Sequence, residues 1–301
     1  MLFGPDASLM GILTTPEPVN PASVACLLLN VGLTHRIGPR RLNVKLARQL
    51  ARDGIPSLRL DLSGIGDSPA PAQGRRSFRE QAIGDLRAAM DQVEASTGIR
   101  RFVVLGVCSG ATNGYWLAQA DPRVVGLLMF DGFTFPTLKT QLIHDVTRIR
   151  QAKWGVVFSK GLGRVKRMLG IAGPKGTSIF NDVSDLTNPT RAEFQAVMDS
   201  LTTRGVAVYL IYSGSLLVQH NYDEQLRDAF PNAPFVGRIR YDYMPDVDHT
   251  PTPLAAQRKL ADAMCQWVGQ IAQASPGVAP GFVLAPGAQK TRLEPLPKLT
   301  G

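Results

Sequence analysis

Short apolar runs recur along the chain at residues 24–31, 57–62, 101–107, 124–130, 206–212 and 238–243. Each is of strand length, and most are separated by stretches whose apolar positions recur every three to four residues. Those stretches, at 42–52, 79–96, 112–120 and 254–271, carry their charges on the opposing face and read as amphipathic helices. Strands that alternate with helices pair in parallel, because a parallel neighbour needs a crossover and a helix supplies it. The pattern predicts an α/β fold with a mostly parallel central sheet flanked by helices.

Two stretches interrupt the rhythm. Residues 133–182 show no clear strand, and within them Arg148, Arg150, Lys153, Lys160, Arg164, Lys166, Arg167 and Lys175 follow one another without a carboxylate. This reads as a helical cap insertion with a basic face. Residues 275–301 are rich in Pro, Gly and Ala and lack periodicity, the composition of a flexible tail. The expected organisation is therefore a core of residues 1–132 and 183–274, a cap at 133–182 and a tail at 275–301.

Composition narrows the class. With 301 residues, 44% hydrophobic and 19% charged, the chain suits one sizeable globular domain. Thirty-three Lys and Arg against 24 Asp and Glu give a net charge of +9, which suits anionic partners. No aromatic interleaving or recognised module accompanies the charge, so nucleic acid is not an expected partner. The three cysteines, Cys26, Cys108 and Cys265, are too few and too scattered for a disulfide framework or a zinc cluster. No run approaches the roughly 18 apolar residues of a membrane span, and residues 1–17 lack the pattern of a secretory leader. A reduced, cytoplasmic protein without metal or cofactor is the expectation.

The segment most informative about chemistry is Arg101-Phe-Val-Val-Leu-Gly-Val-Cys-Ser-Gly-Ala111, a strand that runs through a tight turn into a helix. It has the form of a nucleophile elbow, in which the reactive residue sits on a strained turn and small residues two before and two after permit close backbone approach. Centred on Cys108 the flanking residues are Gly106 and Gly110; centred on Ser109 they are Val107 and Ala111. The first frame fits better, so Cys108 is the candidate nucleophile and the Ser109 amide a candidate oxyanion donor.

A thiol nucleophile is activated by a base. Among His35, His144, His220 and His249, only His249 follows the last predicted strand and precedes the last helix, at the carboxyl edge of the sheet where ligands bind. It is the candidate base. Asp223 is the first choice as the acid that orients it, lying eleven residues beyond the end of the strand at Tyr212. Asp131, immediately after the strand at 124–130, is the second choice; Asp248 is disfavoured, and a Cys–His dyad remains open. The turn after the first run, Asn30-Val-Gly-Leu33, offers the amide of Gly32 or Leu33 as the partner of Ser109 in an oxyanion hole.

Taken in order, the turn at Gly32, the segment Leu58-Arg-Leu-Asp-Leu-Ser-Gly-Ile-Gly-Asp-Ser68, the Cys108 elbow and His249 resemble the α/β-hydrolase superfamily. Within it the phrases around Arg36, Ser68, Cys108 and His249 look like a bacterial subgroup similar to serine aminopeptidases. Cysteine in the elbow is similar to dienelactone hydrolases and polyhydroxyalkanoate synthases. The resemblance implies a hydrolase acting on an ester or thioester through a covalent acyl-enzyme. Acyl transfer from Cys108 to an alcohol or amine, and a binding module that kept only the fold, are the alternatives. A small acyl substrate is expected, including an anionic coenzyme A or carrier-protein thioester drawn by the basic cap. Phe133, Phe135, Trp154, Val156, Val157 and Phe158 would form either the core of the cap, the commoner role of such a stripe, or the lining of an acyl pocket.

Overall fold

The computed structural model describes residues 1–17, 22–71, 77–151 and 188–274. Eight strands form one sheet: β1 (Leu2–Phe3), β2 (Leu9–Thr14), β3 (Ala25–Leu28), β4 (Ser57–Leu60), β5 (Phe102–Val107), β6 (Val124–Phe130), β7 (Ala207–Ser213) and β8 (Arg240–Met244). Their spatial order is β1-β2-β4-β3-β5-β6-β7-β8. Both pairings of β2, with β1 and with β4, are antiparallel, and every pairing from β4 to β8 is parallel.

The apolar runs are continuous rather than alternating because the parallel strands are covered on both faces. All six residues of β5 and all seven of β7 are buried. On one face Leu86, Met90 and Val93 of α2 (Phe78–Thr97), Leu117 of α3 (Ser109–Ala120) and Phe194 and Met198 of α5 (Arg191–Thr203) pack against the sheet. On the other lie Leu42 and Leu46 of α1 (Leu42–Arg52) and Leu260, Trp267 and Val268 of α7 (Leu254–Gln273). Two further helices complete the described set, α4 (Leu138–Gln151) and the short α6 (Gln225–Ala229).

Four elements were not expected from the pattern: β1, β2, α5 and the short α6. The start of α5 is set by a capping box, in which the Thr190 hydroxyl accepts from the Glu193 amide and the Glu193 carboxylate accepts from the Thr190 amide.

Of the expected cap, residues 133–151 lie within the described part, and Trp154, Val156, Val157 and Phe158 lie outside it, as does the tail at 275–301. The basic run from Lys153 onward also lies outside. Phe133 and Phe135 belong to the hydrophobic core. Both are buried and pack with Tyr115, Phe194 and Phe230 in an aromatic cluster, with ring centroids 4.8–6.0 Å apart.

Candidate active site

The register of the central strands brings the candidate residues together. Val107 pairs with Phe130, so the residues just beyond them, Cys108 and Asp131, emerge side by side at the carboxyl edge. The ladder continues through both turns: the Cys108 amide donates to Phe130 O at 2.9 Å, and the Asp131 amide donates to Ile211 O at 2.9 Å.

Cys108 adopts φ 54° and ψ −118°, a region costly for a residue with a Cβ, and caps α3. Close packing sustains the turn. A Cβ on Gly110 would lie 2.6 Å from Asn30 O, and one on Gly106 would lie 2.5 Å from the Ala111 amide nitrogen. These contacts are the physical reason for glycine on either side of Cys108.

His249 follows β8 in a loop anchored to the end of β7, its amide donating to Ser215 Oγ at 2.6 Å. Its Nδ1 lies 2.9 Å from Asp131 Oδ2. The Cys108 thiol lies close enough to the same ring for each group to shift the other's pKa. The Asp131 side chain is fully buried, and its other oxygen, Oδ1, accepts the Ser213 amide at 2.7 Å. Cys108, His249 and Asp131 thus form one group of side chains.

Asp223 does not join it. This corrects the first choice of acid: Asp223 is exposed before α6, where burial and the neighbouring Glu224 raise its carboxyl above the ordinary value. The physical reason is strand adjacency. The acid next to Cys108 comes from the strand that neighbours β5, not from the loop one strand further out. His220, without a motif in the sequence, is buried and stacked on the Tyr212 ring at 4.0 Å, with Nε2 2.8 Å from the Tyr241 hydroxyl. Burial pushes its pKa down to about 3, which marks a neutral packing residue. His35 is exposed, and His144 sits on α4 beside Asp145.

The electrostatics favour a charged pair. The bond to Asp131, followed by that to Cys108, raises His249 to about 10. The bond from His249 lowers the Cys108 thiol against the opposing effect of burial, and the Ser109 amide lowers it further. The position of Cys108 at the start of α3 acts in the same direction, because a helix N-terminus stabilises an anion. Both shifts favour the thiolate–imidazolium form of the pair.

The Gly32 amide donates to Ser109 Oγ at 2.7 Å, so it is engaged. Among the described residues the Leu33 amide has no acceptor. Of the two candidates in this turn, Leu33 is the one whose N–H is available, beside the Ser109 amide directed at the sulfur. Among the described residues no group of three or more metal-ligating side chains occurs, and no helix is long and apolar enough to cross a membrane.

A family model described as the alpha/beta hydrolase fold matches residues 27–153, the span that holds Cys108 and Asp131. The chain has the α/β-hydrolase fold. Among solved structures, a serine hydrolase without a lid from Xanthomonas campestris shares 18% identity, with a TM-score of 0.52 over 91% of this chain and 94% of its own. A thermophilic esterase from Thermogutta terrifontis shares 15%, with a TM-score of 0.54 over 86% and 92%. A proline iminopeptidase from Mycobacterium smegmatis shares 16%, with a TM-score of 0.60 over 90% and 98%. No curated protein gives a significant match to the sequence. The likeness to these α/β-hydrolases is one of fold.

Proposed function

We propose that this α/β-hydrolase cleaves an ester or thioester through a covalent acyl-enzyme on Cys108. The observation that carries the reading is the grouping of Cys108, on its strained turn, with His249 and with the buried Asp131 that bonds the His249 ring. The Cys108 thiolate attacks the carbonyl carbon, and the electron pair of the C=O bond moves to oxygen, where the Leu33 and Ser109 amides receive it. Collapse of that intermediate re-forms the carbonyl and breaks the bond to the leaving group, which takes a proton from the His249 imidazolium. His249, now neutral, removes a proton from water, and the hydroxide attacks the thioester, releases the acid and restores the thiolate. Asp131 keeps the ring in the tautomer that presents Nε2 to these protons.

That a thermophilic esterase and a lidless serine hydrolase share the fold supports hydrolysis of an ester. Cysteine in place of serine favours thioesters as well, because a thiolate and a thiol leaving group are of similar basicity.

The test is turnover of activated esters and of an acyl thioester across pH. A free imidazole base would make kcat/KM rise with pH through the ordinary histidine range, whereas a preformed pair gives a different profile. The lowered thiol keeps the thiolate below the ordinary cysteine range of about 8.5. The raised imidazolium keeps its proton up to about 10. We expect kcat/KM to be level across neutrality, to fall in acid as the thiolate is protonated and to fall again near 10 as the imidazolium is lost. Turnover that rises steadily through pH 7 to 10 would rule out the ion pair, and absence of turnover on every ester and thioester would overturn the reading.

A further inference from the structure

The segment 58–68 contributes nothing to the chain of Cys108, His249 and Asp131, yet it holds a fully buried carboxylate. Asp61 lies just beyond β4, and its side chain gathers the turn at residues 30–36. Oδ1 accepts the Arg36 amide at 2.5 Å and Asn30 Nδ2 at 3.2 Å. Oδ2 accepts the Arg36 guanidinium and, at 3.1 Å, the Asp67 amide. The same guanidinium reaches Asp67 Oδ2 at 2.6 Å. Asn30, also buried, closes the turn from within: its Nδ2 donates to Thr34 O at 3.0 Å, and its Oδ1 accepts the Leu62 amide at 3.0 Å.

All of these bonds but that of the Asp67 amide tie down a residue on one side or the other of Gly32 and Leu33, whose own contact with the elbow is the single bond to Ser109 Oγ. Room for the carboxylate is made by Gly66, at φ +58°, where a Cβ would collide with Asp61. A buried carboxylate is costly unless it is fully bonded, and this one meets four donors drawn from two loops.

We propose that Asp61, Asn30 and Arg36 form a clamp that positions the Leu33 amide to receive the oxyanion on a Cys108 adduct. They are positioning residues, acting through the turn rather than on substrate. The inference rests on the acyl-enzyme reading above and deepens it by naming what holds the oxyanion donor in place. A donor displaced by about 1 Å costs on the order of 10²-fold in rate.

The test separates attack on a carbonyl from attack that makes no oxyanion. Alkylation of Cys108 by iodoacetamide needs the thiolate alone: the sulfur forms a bond to carbon and iodide leaves. Acylation by an activated ester needs the oxyanion donors too. Arg36→Ala removes the guanidinium bonds, Arg36→Lys restores the charge, and Gly66→Ala displaces Asp61 without touching Arg36.

In Arg36→Ala and Gly66→Ala we expect acylation to slow about 10²-fold through kcat, with KM and iodoacetamide alkylation near parental and partial recovery in Arg36→Lys. Parental acylation in soluble, folded Arg36→Ala overturns the clamp. Equal loss of acylation and alkylation also overturns it, since the network then supports the nucleophile or the fold as a whole. Should Gly66→Ala fail to fold, Arg36→Ala and Arg36→Lys decide alone. A parental protein that iodoacetamide labels but no ester acylates refutes the acyl-enzyme reading itself, and the clamp's role with it.

Discussion

Cys108→Ala is expected to reduce ester turnover on the order of 10⁶-fold, to the background of the assay, while the protein stays folded. Loss of a covalent nucleophile removes the whole acyl-enzyme route, which is worth about 8 kcal/mol of barrier at 1.36 kcal/mol per decade. The side chain is only half-buried and contributes little to the core, so thermal unfolding should stay near parental. Ser109→Ala is expected to be milder, because its backbone amide is retained and only the hydroxyl that accepts from Gly32 is lost. Loss of turnover to background in Ser109→Ala, with Cys108→Ala retaining it, would move the nucleophile by one residue.

The second large effect belongs to Asp131. In Asp131→Asn the Ser213 amide still needs an acceptor at 2.7 Å, which fixes the amide oxygen there and turns the NH₂ toward His249. His249 Nδ1 must then accept, and the ring proton moves to Nε2, where it faces Cys108 and cannot take another. The same wrong tautomer costs about 10⁴-fold in serine triads. A thiol is the stronger intrinsic nucleophile, so a loss of roughly 10²–10⁴-fold is expected here. Folding should survive, since residue 131 sits at φ 48°, a conformation that asparagine tolerates well. Asp223→Asn should turn over at the parental rate. Steady-state kinetics of the two variants check this directly, and a dead Asp223→Asn beside an active Asp131→Asn would reverse the assignment.

The error over Asp223 has a physical origin. Sequence shows which carboxylates follow strands, but it does not show which loop bends toward the nucleophile. The strand–helix–strand connection between β5 and β6 does make them parallel neighbours, and that neighbourhood was the available signal for Asp131. The elbow and His249 were legible because each depends on local features, glycines that a Cβ would foul and a position between the last strand and the last helix.

The core strands were legible for a similar reason: burial on both faces leaves an apolar run that needs no partner to be recognised. β1 has only two residues, and β2 is interrupted by Gly11 and antiparallel, so neither shows such a run. For α5 the signal is present in Thr190 and Glu193 at capping-box spacing. Phe133 and Phe135 illustrate a different limit. An aromatic side chain that packs a core and one that lines a pocket have the same composition and spacing, and only the surrounding rings distinguish them.

The most direct test of the account is the mass of the protein quenched in acid after brief exposure to an activated ester, followed by peptide mapping. A single acyl adduct on Cys108, absent from Cys108→Ala and lost with time as the parental enzyme hydrolyses it, is the predicted result. Steady turnover with the adduct on another residue, or with none on either protein under rapid quench, would contradict a covalent mechanism at Cys108.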